Sequence, residues 1–537
     1  MSLVFMSIRQ LSVRLVLSGA ALAAVGFMVG CGSAARPVVT PIGSPGPPAQ
    51  PSSLVAVVSS PGSSLPGVAT IIDYSGDTIL AQQTIGVGPL AFTADALGSN
   101  GYTINGDGTL SNFPVSATLQ EKYVTYTTLP TNAHPTNLFS PSTGLWAVDQ
   151  TGYNVDVFTG SPQDFQLAIQ VAPQPVMIIG TGSIGQRDFA ISLNAANASA
   201  TIPYDVSCNI PGNFAGYIAN GEVGEADTIE VSTHSISNSV PLGVCPVYAV
   251  MSTDGQRLFV LNRGDDTITV INVKNNTLDE CPEPLVNNAC PVTKNQNGQA
   301  ITFHPALPLS LNAVAAMNNK IPGSGNPPNG TTGMTQTAGP VYAEYNAATS
   351  QLVVADYDGG TISVIDVSLD EYGNDSATFG TTFTVPVGNT PASVTVLNDG
   401  SRAYTANQTD GTVSIVTLAS HTVEKTLTVV GHPRTVVNTQ NSVYGKVYVA
   451  SPDSPYLTIV RTDEDIVDTT LLVVGSIVDV RVQSQTTANS NNNNVSRLPG
   501  AGQPCNLPLS EFDPSNPGQN ADTIANCEAQ SIGALQP

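Results

Sequence analysis

One pattern occurs three times between residues 246 and 418 of this 537-residue chain and leaves few folds open to it. Residues 246–273 read PVYAVMSTDGQRLFVLNRGDDTITVINV, residues 340–367 read PVYAEYNAATSQLVVADYDGGTISVIDV, and residues 391–418 read PASVTVLNDGSRAYTANQTDGTVSIVTL. Each copy opens on a proline (Pro246, Pro340, Pro391), carries Asn262, Asp356 or Asn407 sixteen positions later, and then enters an alternating β-branched run. In the last copy Asn398-Asp399-Gly400 spells a hairpin turn, because these residue types accept positive φ. Strands are expected after Pro391 and at 402–406, 412–416 and 425–430. Four antiparallel strands in about forty residues form one blade of a β-propeller, a unit that buries its apolar faces only by stacking on copies of itself.

Weaker copies extend in both directions. Pro89 precedes Asn105 at the same offset, Pro135 precedes Asp149, Pro433 precedes Ser451, and Pro175 with residues 187–193 is the poorest match. The intervals 175–246 and 246–340 are too long for one blade, so inserts are expected near 195–215 and 276–335, as ordered excursions from one face. At the start, 54–59, 68–73 and 78–85 supply three strands of a blade that lacks its first, and 477–482 supplies the missing one. Pairing the two ends would close the ring and remove its edges. The expected fold is therefore an all-β propeller of four-stranded antiparallel blades, eight by repeat count with seven as the alternative, spanning residues 54–482.

Composition agrees with this architecture. Hydrophobic residues make up 41% and charged residues 11%, with 48 Gly and 40 Pro, the profile of many short strands joined by punctuated turns. The net charge of −23 and the lack of any Lys/Arg cluster argue against nucleic-acid binding, which needs phosphate neutralisation.

Residues 1–30 have the layout of an export signal: Arg9 and Arg14, an apolar run from Leu15 to Val29, and Gly30 before Cys31. Met28-Val29-Gly30-Cys31 resembles a bacterial lipobox, with Met28 where Leu is usual. That resemblance implies a cleaved leader and a lipid on Cys31, which would hold the chain at the cell envelope; an ordinary secretory signal is the alternative. Residues 31–53, with six prolines, form a semi-extended tether, and 483–537 a low-complexity C-terminal tail. The six remaining cysteines are an even set, as expected of disulfides in an exported protein. Short loops favour Cys281 with Cys290 and Cys505 with Cys527, leaving Cys208 with Cys245.

The segment Arg402-Ala403-Tyr404-Thr405-Ala406-Asn407, followed by Thr412–Val416, resembles the YVTN β-propeller repeat, as do Val447-Tyr448-Val449-Ala450 and Leu258–Asn262. The resemblance covers about 54–482, most strongly after 240. A WD-type propeller fits poorly, since the chain has a single Trp, Trp146. Membership of the YVTN family would imply an exported or surface-layer protein, in agreement with the leader.

The loops leading into two blades contain His134-Pro135 and His432-Pro433-Arg434. His134, His432 and Arg434 are thus candidates to line a channel mouth and meet a polar or anionic ligand, or else are loop residues beside a turn proline. Asp265, Asp266, Asp356 and Asp358 lie near Gly turns and are expected to bind turn backbone rather than a metal. Gly180–Gly185 spells a glycine fingerprint but opens no helix, and neither a nucleophile elbow nor a P-loop occurs. No cofactor or metal is expected. Two functions remain: a non-enzymatic, lipid-anchored module binding a protein or glycan partner, and a hydrolase similar to propeller lactonases with its site at the central channel.

Overall fold

The structure is a computed structural model that describes residues 54–483 apart from 96, 134, 141–143, 151, 181–186, 194–223, 288–289, 293, 295–297, 299, 310–337 and 440–444. Blades are numbered 1 to 8 from the first described residue. Their inner strands are Ser476–Val482, Pro89–Ala94, Pro135–Phe139, Pro175–Gly180, Pro246–Met251, Pro340–Asn346, Pro391–Val396 and Thr435–Asn438. Each inner strand touches the next around the circle, and that of blade 1 touches both blade 8 and blade 2, so eight blades close the ring.

The sixteen-residue offset has a direct structural cause. In the hairpin between first and second strands, Pro89 sits opposite Asn105, Pro246 opposite Asn262, Pro340 opposite Asp356 and Pro391 opposite Asn407. Pro135 opposes Asp149, and Pro175 opposes Ser192. In all six blades the register shifts just after the proline, where a residue without an N–H costs the ladder nothing. The prolines and the turns joining second to third strands share one face, called the proline face below.

Blade 7 shows the common plan: Pro391–Val396, Arg402–Asn407, Thr412–Thr417 and Thr422–Thr428 pair in sequence order. Its second and third strands are buried nearly throughout because neighbouring blades cover both faces. The outer strand is mostly exposed. It begins three residues before the expected Lys425, because the turn Leu418–His421 reverses the chain at once, with His421 in the left-handed region.

Closure follows the expected route. Leu54–Ser60, Pro66–Asp73 and Thr78–Val87 form the outer three strands of blade 1, and Ser476–Val482 pairs antiparallel with Leu54–Ser60 as the inner one.

The second insert is built into the outer strand of blade 5. Blade 5 begins its outer strand at Thr277–Leu278, departs, and returns to complete it with Ala306–Pro308 against the third strand, Thr267–Asn272. The excursion thus interrupts an outer strand. Both ends are pinned to one residue: the Asp279 N–H donates to the Val270 carbonyl (2.9 Å), and the Val270 N–H donates to the Pro305 carbonyl (3.0 Å). Cys281 and Cys290 are joined within it as expected. Cys245 is buried and disulfide-bonded, while its expected partner Cys208, with Cys505, Cys527, Cys31 and the first insert, lies outside the described residues.

Two local devices recur in blades 2, 5 and 7. Asn105, Asn262 and Asn407 end their second strands and donate through Nδ2 to hydroxyls on the third: Thr109 and Ser111, Thr267 and Thr269, Thr412 and Ser414, at 2.8–3.1 Å. A glycine three residues before the proline (Gly86, Gly243, Gly388) makes room for that amide. A Cβ on Gly243 would stand 2.5 Å from Asn262 Nδ2, and one on Gly388 would stand 2.6 Å from Asn407 Cγ. Gly388→Ala is therefore expected to destabilise the fold by roughly 1–3 kcal/mol through overpacking. Urea unfolding measures it, and an unchanged midpoint would disprove the steric role.

Candidate functional site

The face opposite the prolines carries a second repeating device. Four blades begin their second strand with a cation: Arg187, Arg257, Arg402 and Lys446. Each reaches the turn between third and fourth strands in the next blade. Arg187 contacts the Val273 and Lys274 carbonyls (3.4 Å), and Arg402 binds the Thr462 carbonyl (2.7 Å) and Asp465. Lys446 reaches from blade 8 to the Tyr74 carbonyl (2.8 Å) and Asp77 (2.6 Å) of blade 1. These cations stitch neighbouring blades at the rim, where the strands themselves share no hydrogen bonds.

The joint between blades 5 and 6 exceeds this plan. Arg257 donates to the Gly373 carbonyl (3.2 Å) and to Asp375 Oδ1 (3.0 Å), both in the long turn of blade 6 that follows its third strand, Thr361–Asp366. The same guanidinium lies 3.2 Å from Asp279 Oδ1 at the neck of the blade 5 excursion. His304, on the other side of that neck, places Nδ1 2.7 Å from Asp375 Oδ2 and donates its backbone N–H to Asp279 Oδ2 (2.9 Å). Its ring lies against Phe379, with centroids 5.0 Å apart. The Asp279 and Asp375 side chains are almost wholly buried, while that of His304 is 29% exposed. Burial, then the charge and hydrogen bonding of Asp279, push the Asp375 carboxyl up to about 6, against the pull of His304 and Arg257.

Each of these residues is held by local structure. Asp279 is itself anchored on Val270 through its backbone N–H, and His304 directly precedes Pro305, whose carbonyl accepts the Val270 N–H. In the blade 6 turn, Asp370 accepts the N–H groups of Tyr372 (2.8 Å) and Asn374 (2.9 Å), and the Ser368 and Ser376 hydroxyls meet at 2.8 Å. Between the half-cystines the chain reads Pro-Glu-Pro-Leu-Val-Asn-Asn-Ala, and Leu285 and Val286 are each 60% exposed. A disulfide loop anchored on one side by the Asp279 neck thus holds two aliphatic side chains in solvent.

The residues singled out by sequence are placed differently. His432 stands at the proline face, 59% exposed, with its N–H on Asp453 Oδ1 (2.8 Å) and its ring Nδ1 2.5 Å from Oδ2. Burial tends to raise the Asp453 carboxyl, yet the hydrogen bonds and charge of His432 hold it below the usual range. Arg434 is buried and donates to the Val478 carbonyl on the inner strand of blade 1. Its side chain and that of His432 thus turn to different partners. His134 lies outside the described residues. Arg481 and Asp479, paired at 2.8 Å, stand beside Val478, and Glu344 is the other acid on the described inner strands.

Of the four aspartates expected to bind turn backbone, Asp265 and Asp266 accept backbone N–H groups, and Asp266 and Asp358 cross the blade 5–6 joint on the proline face. Asp265 accepts the Val244 N–H (2.9 Å) and the Thr267 hydroxyl (2.7 Å), and Asp266 accepts the Gly339 N–H (2.8 Å). Asp358 forms a buried bidentate pair with Arg263 at 3.0 and 2.9 Å. Asp356 stands where other blades carry Asn and accepts the Thr361 (3.0 Å) and Ser363 (2.7 Å) hydroxyls; burial above all pushes its carboxyl up to about 8.

The Asp279, His304, Asp375 and Arg257 grouping was missed from sequence because its members come from four separate segments. The cations alone left a signal, eleven positions after Pro246 and Pro391.

No protein-family model matches the chain, and no curated protein matches it. Among solved structures it is similar in fold to apo AztD from Citrobacter koseri, at 10% identity over 80% of this chain and 97% of that one, with a TM-score of 0.47. It is also similar to a putative 6-phosphogluconolactonase from Bacteroides fragilis, at 15% identity over 81% and 99%, with a TM-score of 0.46. A third is the dihydro-heme d1 dehydrogenase NirN, at 11% identity over 80% and 74%, with a TM-score of 0.48. The likeness is one of fold alone. Among the described residues no helix is long and apolar enough to cross a membrane.

Proposed function

We propose that this propeller is a non-enzymatic binding module, held at the cell envelope by a lipid on Cys31, and that it presents the blade 5 excursion to a protein partner. The observation that supports this reading is the disulfide-closed loop 281–290, which keeps Leu285 and Val286 in solvent next to an anchored neck. A disulfide lowers the entropy lost when such a loop docks, and two aliphatic side chains favour a protein partner over a glycan. With a net charge of −23, the chain favours a neutral or basic partner surface.

The test is capture by cross-linking on intact cells, comparing the native chain with a Leu285→Ser/Val286→Ser variant. The partner recovered with the native chain is expected to be lost at least about tenfold with the variant, which should melt at the same temperature because both side chains are exposed. Identical recovery would refute the loop as the docking element. Cys31→Ser is expected to release the protein from membranes, and retention would refute the lipid anchor.

A further inference from the structure

The clamp between blades 5 and 6 can be measured against the others in its own ring. At the blade 7–8 and blade 8–1 joints, one cation meets one carboxylate: Arg402 with Asp465, and Lys446 with Asp77. At the blade 5–6 joint Arg257 meets two, Asp279 and Asp375, and an imidazole is added. Two buried carboxylates against one guanidinium leave one negative charge uncompensated, and buried charge is tolerated only when paired or bound to a cation. The surplus is not needed to hold the blades together, since the other joints manage without it.

The surplus groups have the arrangement of a ligand set. One ligand atom each from Asp279, His304 and Asp375 can be chosen so that all lie within 4.8 Å of one another. Arg257 occupies the Oδ1 side of both carboxylates, whereas His304 Nδ1 faces Asp375 Oδ2 at 2.7 Å, a separation that two ligands of one ion can share. The ligands are fixed by an excursion neck pinned on both sides to Val270 and by a turn closed on Asp370, and the His304 ring is steadied by Phe379. The exposed part of His304 leaves a path from solvent.

We infer that Asp279, His304 and Asp375 bind one divalent first-row transition-metal ion, which ties the blade 5 excursion to blade 6. The ion takes the place of the proton between His304 Nδ1 and Asp375 Oδ2, and that proton passes by way of solvent to Nε2, so the imidazole stays neutral; no bond to carbon changes and no electron moves. One imidazole with two carboxylates suits zinc, cobalt, nickel or manganese, and the nitrogen ligand disfavours calcium and magnesium. Three protein ligands leave further positions for water. The inference does not rest on the partner proposed above, since the metal would bind whether or not anything docks on Leu285 and Val286.

The experiment uses the full chain, freed of metal with a chelator and titrated with Zn²⁺ by calorimetry and with Co²⁺ by visible absorption. One equivalent is expected to bind, with ligand-field bands from Co²⁺ and a rise in melting temperature that grows with free metal. His304→Gln, at a partly exposed position, is expected to weaken binding at least about tenfold, and Asp375→Asn to do the same and abolish the Co²⁺ bands. His432→Gln, which alters the other described His–Asp pair, at the proline face, is expected to leave affinity unchanged. Absence of saturable binding at millimolar metal would overturn the inference, as would native affinity in folded His304→Gln. Because partner capture and metal titration are separate measurements, failure of one is distinguishable from failure of the other.

Discussion

Replacing Lys446 with alanine is expected to weaken the ring at its closure more than any surface substitution could. Lys446 Nζ lies 2.6 Å from Asp77 Oδ1 and 2.8 Å from the Tyr74 carbonyl, and both charged side chains are more than nine-tenths buried. The pair joins blade 8 to the turn of blade 1, the blade assembled from both ends of the described chain. Burial already raises the Asp77 carboxyl above its ordinary value although Lys446 pulls it down. Removing the ammonium leaves a buried carboxylate with no cation, a loss of about 3–5 kcal/mol. The double variant Lys446→Met/Asp77→Asn should recover much of it, because neither charge then needs a partner. Urea unfolding of the two variants checks this, with limited proteolysis to detect fraying of Leu54–Ser60 from Ser476–Val482. A single variant within about 0.5 kcal/mol of the native chain would place ring closure in the strand pairing alone.

Asp356→Asn is expected to act in the opposite direction. Asn262 and Asn407, at the same place in blades 5 and 7, donate to two hydroxyls and leave Oδ1 without a hydrogen bond to the described protein. Asp356 has the same unbonded Oδ1 and must instead accept both hydroxyls, in full burial. Its folded pKa of about 8 lies above the unfolded value near 3.8, so the folded chain holds the proton longer. Stability from this residue is then complete below about pH 4 and falls as pH rises toward 8, where the carboxylate must be buried charged. An asparagine carries no such penalty and donates as its counterparts do. The variant is expected to be more stable than the native chain by a few kcal/mol, on the order of 2–4, at pH 7, and to lose that part of the pH dependence. Denaturation between pH 4 and 8 tests it; a gain that is the same at both ends of that range would assign the effect to something other than the buried charge.

Both expectations start from features that differ in how visible they are along the chain. Asp356 was visible, since it replaces Asn in an otherwise regular repeat. Its cost was not, because only the stacked blades show that its carboxyl is wholly buried. Lys446 and Asp77 are 369 positions apart, and nothing local connects them. The glycines at 86, 243 and 388 could have been read from sequence at their fixed distance from proline, but their reason appears only when the Asn amide is seen filling the space a Cβ would take.

The second insert teaches the same lesson about sites. Its existence was legible from one overlong interval, and its disulfide from the short spacing of Cys281 and Cys290. That it splits the outer strand and returns to complete it was not, because the pieces Thr277–Leu278 and Ala306–Pro308 are too short to carry a pattern. His432 and Arg434 drew attention as neighbours in sequence, yet the His432 ring turns to the half-exposed Asp453 while the Arg434 side chain is buried against the Val478 carbonyl of blade 1. The grouping at Asp279, His304 and Asp375 had no sequence signature at all.

By itself the sequence determined the blade plan, the hairpin register and the pairing of the two ends, since hairpin pairing is local and a repeated proline-to-asparagine spacing reports it several times over, while the choice of eight blades over seven came from the structure. Only the tertiary structure decided which charges meet, because contacts between blades join residues scores to hundreds of positions apart through the angle at which one sheet stacks on the next. The candidate site belongs to that second class: it lies where two departures from the repeat, one in blade 5 and one in blade 6, are brought against each other by the ring.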